Sequence, residues 1–265
     1  MSLDTTKQPI GIFDSGIGGT SIWKEIHYLL PNEQTIYLSD SKNAPYGQKS
    51  KQEILELSIK NTEFLLEQNC KLIVVACNTA TTNAIQYLRQ HYTISFIGIE
   101  PAIKPASLLT KSKTIGILAT KGTLNSDLFE KTSSLIKQEI RIIEQIGEGL
   151  VELIENNQIE SEKMHHLLVK YLQPMIEENV DCLVLGCTHY PYLIPKIKEI
   201  IGENIKIIDS GEAVARQTNN ILTQQNLLNS TPNTNKNIFY INKSKEVLEN
   251  FLTEYSNIIV EQKDF

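Results

Sequence analysis

The chain holds no apolar run approaching the roughly 20 residues a membrane helix needs. Its opening MSLDTTKQP has neither the basic nor the apolar stretch of a secretory signal. These absences predict a cytoplasmic protein with no membrane partner. Cysteine is scarce: only Cys70, Cys77, Cys182 and Cys187 occur among 265 residues, and no two form a C-x-x-C pair. That argues against a thioredoxin-type couple and a zinc knuckle. An extended segment from Cys182 to Cys187 would separate those two by roughly 16 Å, too far for a disulfide. An excess of positive charge is missing as well. With 25 basic and 31 acidic residues the net charge is −6, so the chain lacks the electrostatic footprint of a nucleic-acid binder. The expected partner is a small molecule. Apolar content of 41% and charged content of 21% are ordinary for a globular protein, which argues against disorder, collagen and coiled coil.

What is present is organised around LVLGCTHYP, residues 183 to 191. Its apolar run reads as a strand buried on both faces and ends in a cysteine, a threonine and a histidine. Open α/β sheets place ligands at the carboxyl ends of such strands, so Cys187, Thr188 and His189 are predicted at the rim of a crevice. KLIVVACNTATT, residues 71 to 82, repeats the design with Cys77, Asn78 and Thr79. One cysteine after a strand is ordinary core filler, whereas two in matching contexts call for a shared explanation. Cys70 and Cys182 stand at the starts of strands and read as structural.

IGIFD, residues 10 to 14, is a further strand, followed by the turn SGIGG and a helix stopped by Pro31 and Asn32. Such a turn lets backbone NH groups approach an anion, yet its spacing matches neither G-x-G-x-x-G nor a P-loop. A carboxylate suits it as well as a phosphate. Asp14 ends the strand and reads equally as a functional group or a cap. TIYLSD, residues 35 to 40, leads to a loop centred on Pro45, Tyr46 and Gly47. TIGILATKGT, residues 114 to 123, restarts the pattern, with Ala119 and Thr120 standing where Asp14 and Ser15 stood. The weak repeat, with halves starting near Ile10 and Ile115, predicts an α/β fold of two doubly wound, pseudo-symmetric lobes with the site in the cleft between them. The lobes are drawn as 1–97 plus 210–265 and as 98–209. In this reading a strand, IFYIN, and a helix, SKEVLENFLTEY, finish the chain.

Three chemistries compete for the two thiols. Cys77, Cys187, His189 and Asp14 could ligate zinc, but the usual close-spaced ligand pairs are missing and no metal is expected. A single-cysteine hydrolase with His189 as base leaves the second cysteine unexplained. Inversion of a stereocentre uses both, because one thiolate removes a proton and the opposite thiol returns one to the other face. A two-lobed protein that merely clamps a small ligand is the rival outside enzymology.

FDSGIGG at 13 to 19, APYG at 44 to 47, ACNTAT at 76 to 81, ILATKGT at 117 to 123 and GCTHYP at 186 to 191 together resemble the glutamate racemases of the aspartate/glutamate racemase superfamily. The resemblance implies a cofactor-independent enzyme, usually a homodimer, that makes D-glutamate for peptidoglycan. An aspartate racemase of the same superfamily is the alternative. It implies that Cys77 takes the proton from D-glutamate and Cys187 from L-glutamate, assisted by Asp14 and His189 respectively. Asp14, Ser15, Pro45, Tyr46, Gly47, Asn78, Thr79, Thr120 and Thr188 would hold the substrate. Family members often carry Ala-Cys-Pro before a helix bearing a further acid. Here EQIGEGLVELIE lacks that stretch, and Glu152 and Glu155 both stand as candidates.

Overall fold

The computed structural model describes residues 4–265. The first apolar runs form β1 (Ile10–Asp14), β2 (Thr35–Ser39), β3 (Leu72–Val75) and β4 (Ser95–Gly98). Their crossovers are α1 (Thr20–Leu29), α2 (Lys51–Glu67) and α3 (Asn78–His91). After α4 (Ile103–Leu109) come β5 (Thr114–Ala119), α5 (Lys121–Leu124), α6 (Asp127–Ser134) and β6 (Arg141–Ile146). Next in order are α7 (Leu150–Glu155), α8 (Glu162–Glu177), β7 (Cys182–Gly186), α9 (Ile194–Ile201) and β8 (Lys206–Ile208). The chain closes with α10 (Gly211–Gln224), β9 (Asn237–Ile241), α11 (Glu246–Phe251) and β10 (Ile258–Gln262).

Two parallel sheets result, one ordered β10-β9-β2-β1-β3-β4 and the other β6-β5-β7-β8. The order β2-β1-β3-β4 is repeated by β6-β5-β7-β8, so the weak sequence repeat has a topological counterpart. In each copy the third strand in sequence carries the cysteine, and it pairs with the first at the point where the strand order reverses. Ligand crevices of doubly wound sheets open at that place.

The strands beside the switch points are buried on both faces, and their alternate side chains serve different cores. Ile10, Ile12, Leu72 and Val74 from the first sheet share one cluster with Leu118, Leu183 and Leu185 from the second. Their neighbours Phe13, Ile73 and Val75 look into a separate cluster, as do Ile115, Ile117 and Val184 on the far side of the second sheet. Each such side chain is worth about 1.5–3 kcal/mol when fully buried. The two sheets therefore meet through a common apolar layer, with the cysteine-bearing strand ends at its margin.

Two short helices follow β5, because Asn125 closes α5 and Ser126 caps α6 by accepting from Phe129 N. One detail differs from the sequence reading: the chain ends on a strand instead of a helix. β10 pairs parallel to β9 at the sheet edge, and its IIVEQ sequence alternates only weakly between apolar and polar. Its apolar run, Ile258 to Val260, is shorter than the roughly four residues by which a strand is read.

A buried ion pair fastens the margins of the first sheet. Lys71 Nζ lies 2.6 Å from Glu33 Oε2, with both side chains 1% exposed. The ammonium also donates to the Thr6 and Leu227 carbonyls, and Glu33 accepts from Asn229 N. Removing one partner would strand the other charge away from water. Lys71→Ala should lower unfolding stability by about 3–5 kcal/mol in urea titrations, and an unchanged midpoint would contradict this account.

Candidate active site

β3 delivers Cys77 to the N-cap of α3, where its sulfur accepts from Ala80 N at 3.4 Å. β7 delivers Cys187 to the equivalent place, but the chain beyond it takes another course. Thr188 and His189 lead into a 3₁₀ turn, Tyr190–Leu193, before α9 begins, so only Cys77 sits directly at the start of an α-helix. Both thiols line one small cavity of about 10 Å³. Ser15, Pro45, Tyr46, Gly47, Asn78, Thr79, Thr120, Thr188 and His189 complete most of its wall, together with Val151. No Lys or Arg is among them. Each polar side-chain group of the lining is thus a hydroxyl, an amide, a thiol or the imidazole.

The local chemistry explains how these side chains are held. The Tyr46 hydroxyl donates to the buried Asp40 carboxylate and accepts from Asn61 Nδ2 at 3.2 Å, which fixes the Pro45–Gly47 turn against the cavity. Thr79 from the first sheet's α3 meets Thr120 and Thr123 from the second unit in a hydroxyl cluster, at 2.8 and 3.3 Å. Asn78 is buried, and neither its Oδ1 nor its Nδ2 has a partner among the described residues. A buried amide with both ends unspent is placed to bind something polar.

Asp14, expected in the lining, lies just behind it and is fully buried. Its Oδ2 accepts from Gly19 N at 2.8 Å, and the Ser15 and Thr188 hydroxyls lie 3.4 Å from its Oδ1. Cys77 Sγ is 3.6 Å from Ser15 Oγ, so Ser15 stands between the thiol and the carboxylate. Burial pushes the Asp14 carboxyl up to about 6, although His189 and the Gly19 NH pull the other way. Burial, and then the nearby Asp14 charge, push the Cys77 thiol far above its ordinary value.

The Cys187 side is built differently. His189 Nδ1 is 3.7 Å from Cys187 Sγ, and its Nε2 is 2.6 Å from Glu155 Oε1. The carboxylate can only accept, so the Nε2 proton points at it and Nδ1 is left to exchange a proton with the thiol. Burial alone would drive the imidazolium down. The Cys187 contact and Glu155 outweigh it and hold His189 well above its ordinary value. Burial likewise opposes the Glu155 charge, yet His189, Ser41 and the Ile17 NH keep that carboxyl below its usual range.

Between the two acids that sequence reading left open, geometry separates their places. Glu155 is 6% exposed and bonded into the site, whereas Glu152 faces outward and accepts from Gln48 Nε2 at 2.5 Å. That contact lies at an outer cavity of about 390 Å³, which shares Pro45, Gly47, Thr120 and Val151 with the inner one. The signal for Glu155 was one helical turn: it falls four residues after the buried Val151 and therefore on the same face. Ser41 left no sequence signal at all.

The glycine turn also has a reason that sequence did not give. A Cβ at Gly16 would overlap the Glu155 carboxylate, and one at Gly18 would overlap the His189 ring. These glycines bring the first unit's backbone against the second unit's acid and imidazole, so that Ile17 N donates to Glu155 at 2.7 Å. Among the described residues no group of three or more His, Cys, Asp or Glu is placed to hold a metal ion, and no helix is long and apolar enough to cross a membrane.

Equivalent strand ends on two parallel sheets, each presenting a thiol to one cavity, define an α/β protein with a duplicated thiol site. Residues 10–218 match the Asp/Glu/Hydantoin racemase family. The chain is similar to the glutamate racemase of Herpetosiphon aurantiacus, 46% identical over 84% of this chain and 87% of the relative. Among solved structures it resembles a glutamate racemase isoform from Bacillus anthracis, with a TM-score of 0.87, 32% identity and 98% of each chain covered. It also resembles the glutamate racemase of Francisella tularensis in complex with D-glutamate, with a TM-score of 0.83, 30% identity and 98% of each chain covered. The chain belongs to the Asp/Glu/Hydantoin racemase family.

The buried Asp14 generates a stability test. Its folded value near 6 lies above the ordinary 3.8, so the protonated form is the one folding favours. The corresponding stability is fully present below about pH 4 and is lost as pH rises through about 6, by about 3 kcal/mol at 1.36 kcal/mol per unit. Asp14→Asn should flatten this decline in denaturant titrations between pH 4 and 7. The same slope in both proteins would show that Asp14 is not its source.

Proposed function

We propose that the chain is a glutamate racemase that interconverts L- and D-glutamate by proton transfer at Cα between two thiols. The observation that carries this reading is the pair Cys77 and Cys187, delivered by topologically equivalent strands to one small cavity. A clamp for a ligand needs no such pair. That the named relatives are glutamate racemases supports glutamate over aspartate as substrate.

In the L-to-D direction Cys187 is the base. Its proton passes to His189 Nδ1, leaving a thiolate beside an imidazolium whose other NH is held by Glu155. The thiolate removes the Cα proton from one face. Cys77, kept as a thiol by burial and Asp14, delivers its proton to the other face. In the reverse direction the roles exchange, and Ser15 with Asp14 provides the route by which Cys77 gives up its proton. The two thiols supply both proton-transfer groups, so the reading includes no coenzyme and no metal.

The Cα proton of an amino acid is far less acidic than a thiol, and the carbanion has to be met by the cavity itself. Asn78, Thr79 and Thr188 offer amide and hydroxyl groups, and the backbone NH groups at the start of α3 offer oriented dipoles. In a cavity this small such donors act with little competition from water. Pro45, Tyr46, Gly47 and Thr120 shape the opposite wall. The lobes 1–97 plus 210–265 and 98–209 are read as the bodies that close on substrate. Supply of D-glutamate for peptidoglycan, a cytoplasmic location and a homodimer complete the reading, and the likeness to bacterial glutamate racemases supports them.

Solvent hydrogen supplies the test. In deuterium oxide at low conversion, D-glutamate formed from L-glutamate should carry deuterium at Cα while the remaining L-glutamate stays protonated, and the mirror experiment should give the mirror result. Cys77→Ser and Cys187→Ser should each cut racemisation at least about 1000-fold in both directions, since a hydroxyl is a far poorer base than a thiol. Abundant protium in early product, or a serine variant of normal rate, would overturn the two-thiol mechanism.

A further inference from the structure

We infer that Ser41 is a positioning residue for the Cys187 half-reaction: from the first unit it holds the Glu155 carboxylate across the cleft and so sets the His189–Cys187 proton pair. This rests on the racemase reading above. Glu155 ends α7 in the second unit, beside His189, yet two of its three donors come from the first. Ile17 N reaches Oε1 at 2.7 Å and Ser41 Oγ reaches Oε2 at 2.7 Å. Ser41 is 4% exposed and has one further hydroxyl neighbour, Ser39 Oγ at 3.1 Å. A carboxylate can only accept, so the Ser41 proton is committed to Glu155 and the Ser39 hydroxyl donates to Ser41 Oγ. The result is a directed chain, Ser39 to Ser41 to Glu155, that ends on the acid holding the His189 NH.

Ser41 also lies in the loop after β2 whose far end is the Pro45–Tyr46–Gly47 wall of the cavity. One loop thus touches the substrate space at one end and the acid behind His189 at the other. Parting of the two units would take Ser41 and Ile17 from Glu155 together and leave His189 as its remaining protein partner. The thiol exchange on the Cys187 side is therefore set by contacts that exist only when the units are together. The other titratable groups facing this assembly are Asp14 at the end of β1, Tyr37 on β2, Tyr190 and, across the cavity, Cys77. Burial holds the two tyrosines well above their ordinary range.

The experiment compares Ser41→Ala, Ser41→Cys and Ser41→Thr in the full chain, with kcat and KM measured from both enantiomers. Loss of one donor to a buried charge should lower kcat about 10- to 100-fold, with KM within about threefold. Because the enantiomers have equal free energies, kcat/KM falls equally in the two directions and cannot locate the damage. Isotope effects can. With the Cys187 step made harder, the primary effect with L-[2-²H]glutamate should rise and that with D-[2-²H]glutamate should fall. The alkaline limb of the pH profile of kcat/KM should move to lower pH, since a less well held Glu155 supports the His189 cation less and the cation is lost sooner as pH rises. Ser41→Thr keeps the hydroxyl and should restore both readouts. Ser41→Cys, close in volume and a weaker donor, should move them by less and stands in for Ser41→Ala if that variant does not fold. Wild-type isotope effects and an unmoved alkaline limb in the loss variants would overturn the inference, even if the rate drops. If Cys187→Ser is inactive in the same series, the racemase reading survives that outcome. A wild-type protein that leaves both glutamate enantiomers unchanged would remove the reading and the inference together.

Discussion

A carboxylate taken out of water has to be met by donors, and for Glu155 those donors come from both halves of the molecule. His189 supplies one from its own side; Ile17 and Ser41 supply the others from across the cleft. Much of the surrounding architecture answers to that requirement. The backbone at Ile17 can reach the acid only if Gly16 and Gly18 have no side chains, and the turn can sit there only because β1 ends beneath it. The shared apolar layer between the sheets then keeps the two units at the separation these bonds need.

Most of the fold was legible because its signals are strong. Doubly buried strands give continuous apolar runs, and the matched runs before Cys77 and Cys187 showed that the pattern was duplicated. The pairing of β10 was not legible, since its apolar run, Ile258 to Val260, is shorter than the roughly four residues by which a strand is read. Within the site, the residues that touch the cavity come from short motifs at strand ends, where chain order and spatial order coincide. Glu155 and Ser41 lie far apart in sequence and act through contacts that only tertiary packing creates. The glycine turn was legible as a place of close approach; what approaches it is an imidazole and a carboxylate from the opposite unit.

The two halves of the site share topology but not chemistry. On one side a thiol has a hydroxyl and a buried acid, Ser15 and Asp14; on the other it has an imidazole and a carboxylate. Duplication of a strand order can give two equivalent positions, yet the groups around them differ. The repeat places Ala119 and Thr120 where Asp14 and Ser15 stand, so the second unit has no acid at the strand end and draws its carboxylate from α7 instead.

The smallness of the cavity has a consequence for the enzyme between turnovers. In a two-thiol exchange each passage from L to D leaves Cys77 without its proton and Cys187 with one too many. That form fits D-glutamate, the molecule just made, and not the next L-glutamate. To begin again the protein has to move a proton from one buried sulfur to the other through solvent or its relays, with both thiols less than a tenth exposed. In that exchange the burial of the two thiols also gives the free enzyme a memory of the direction it last ran.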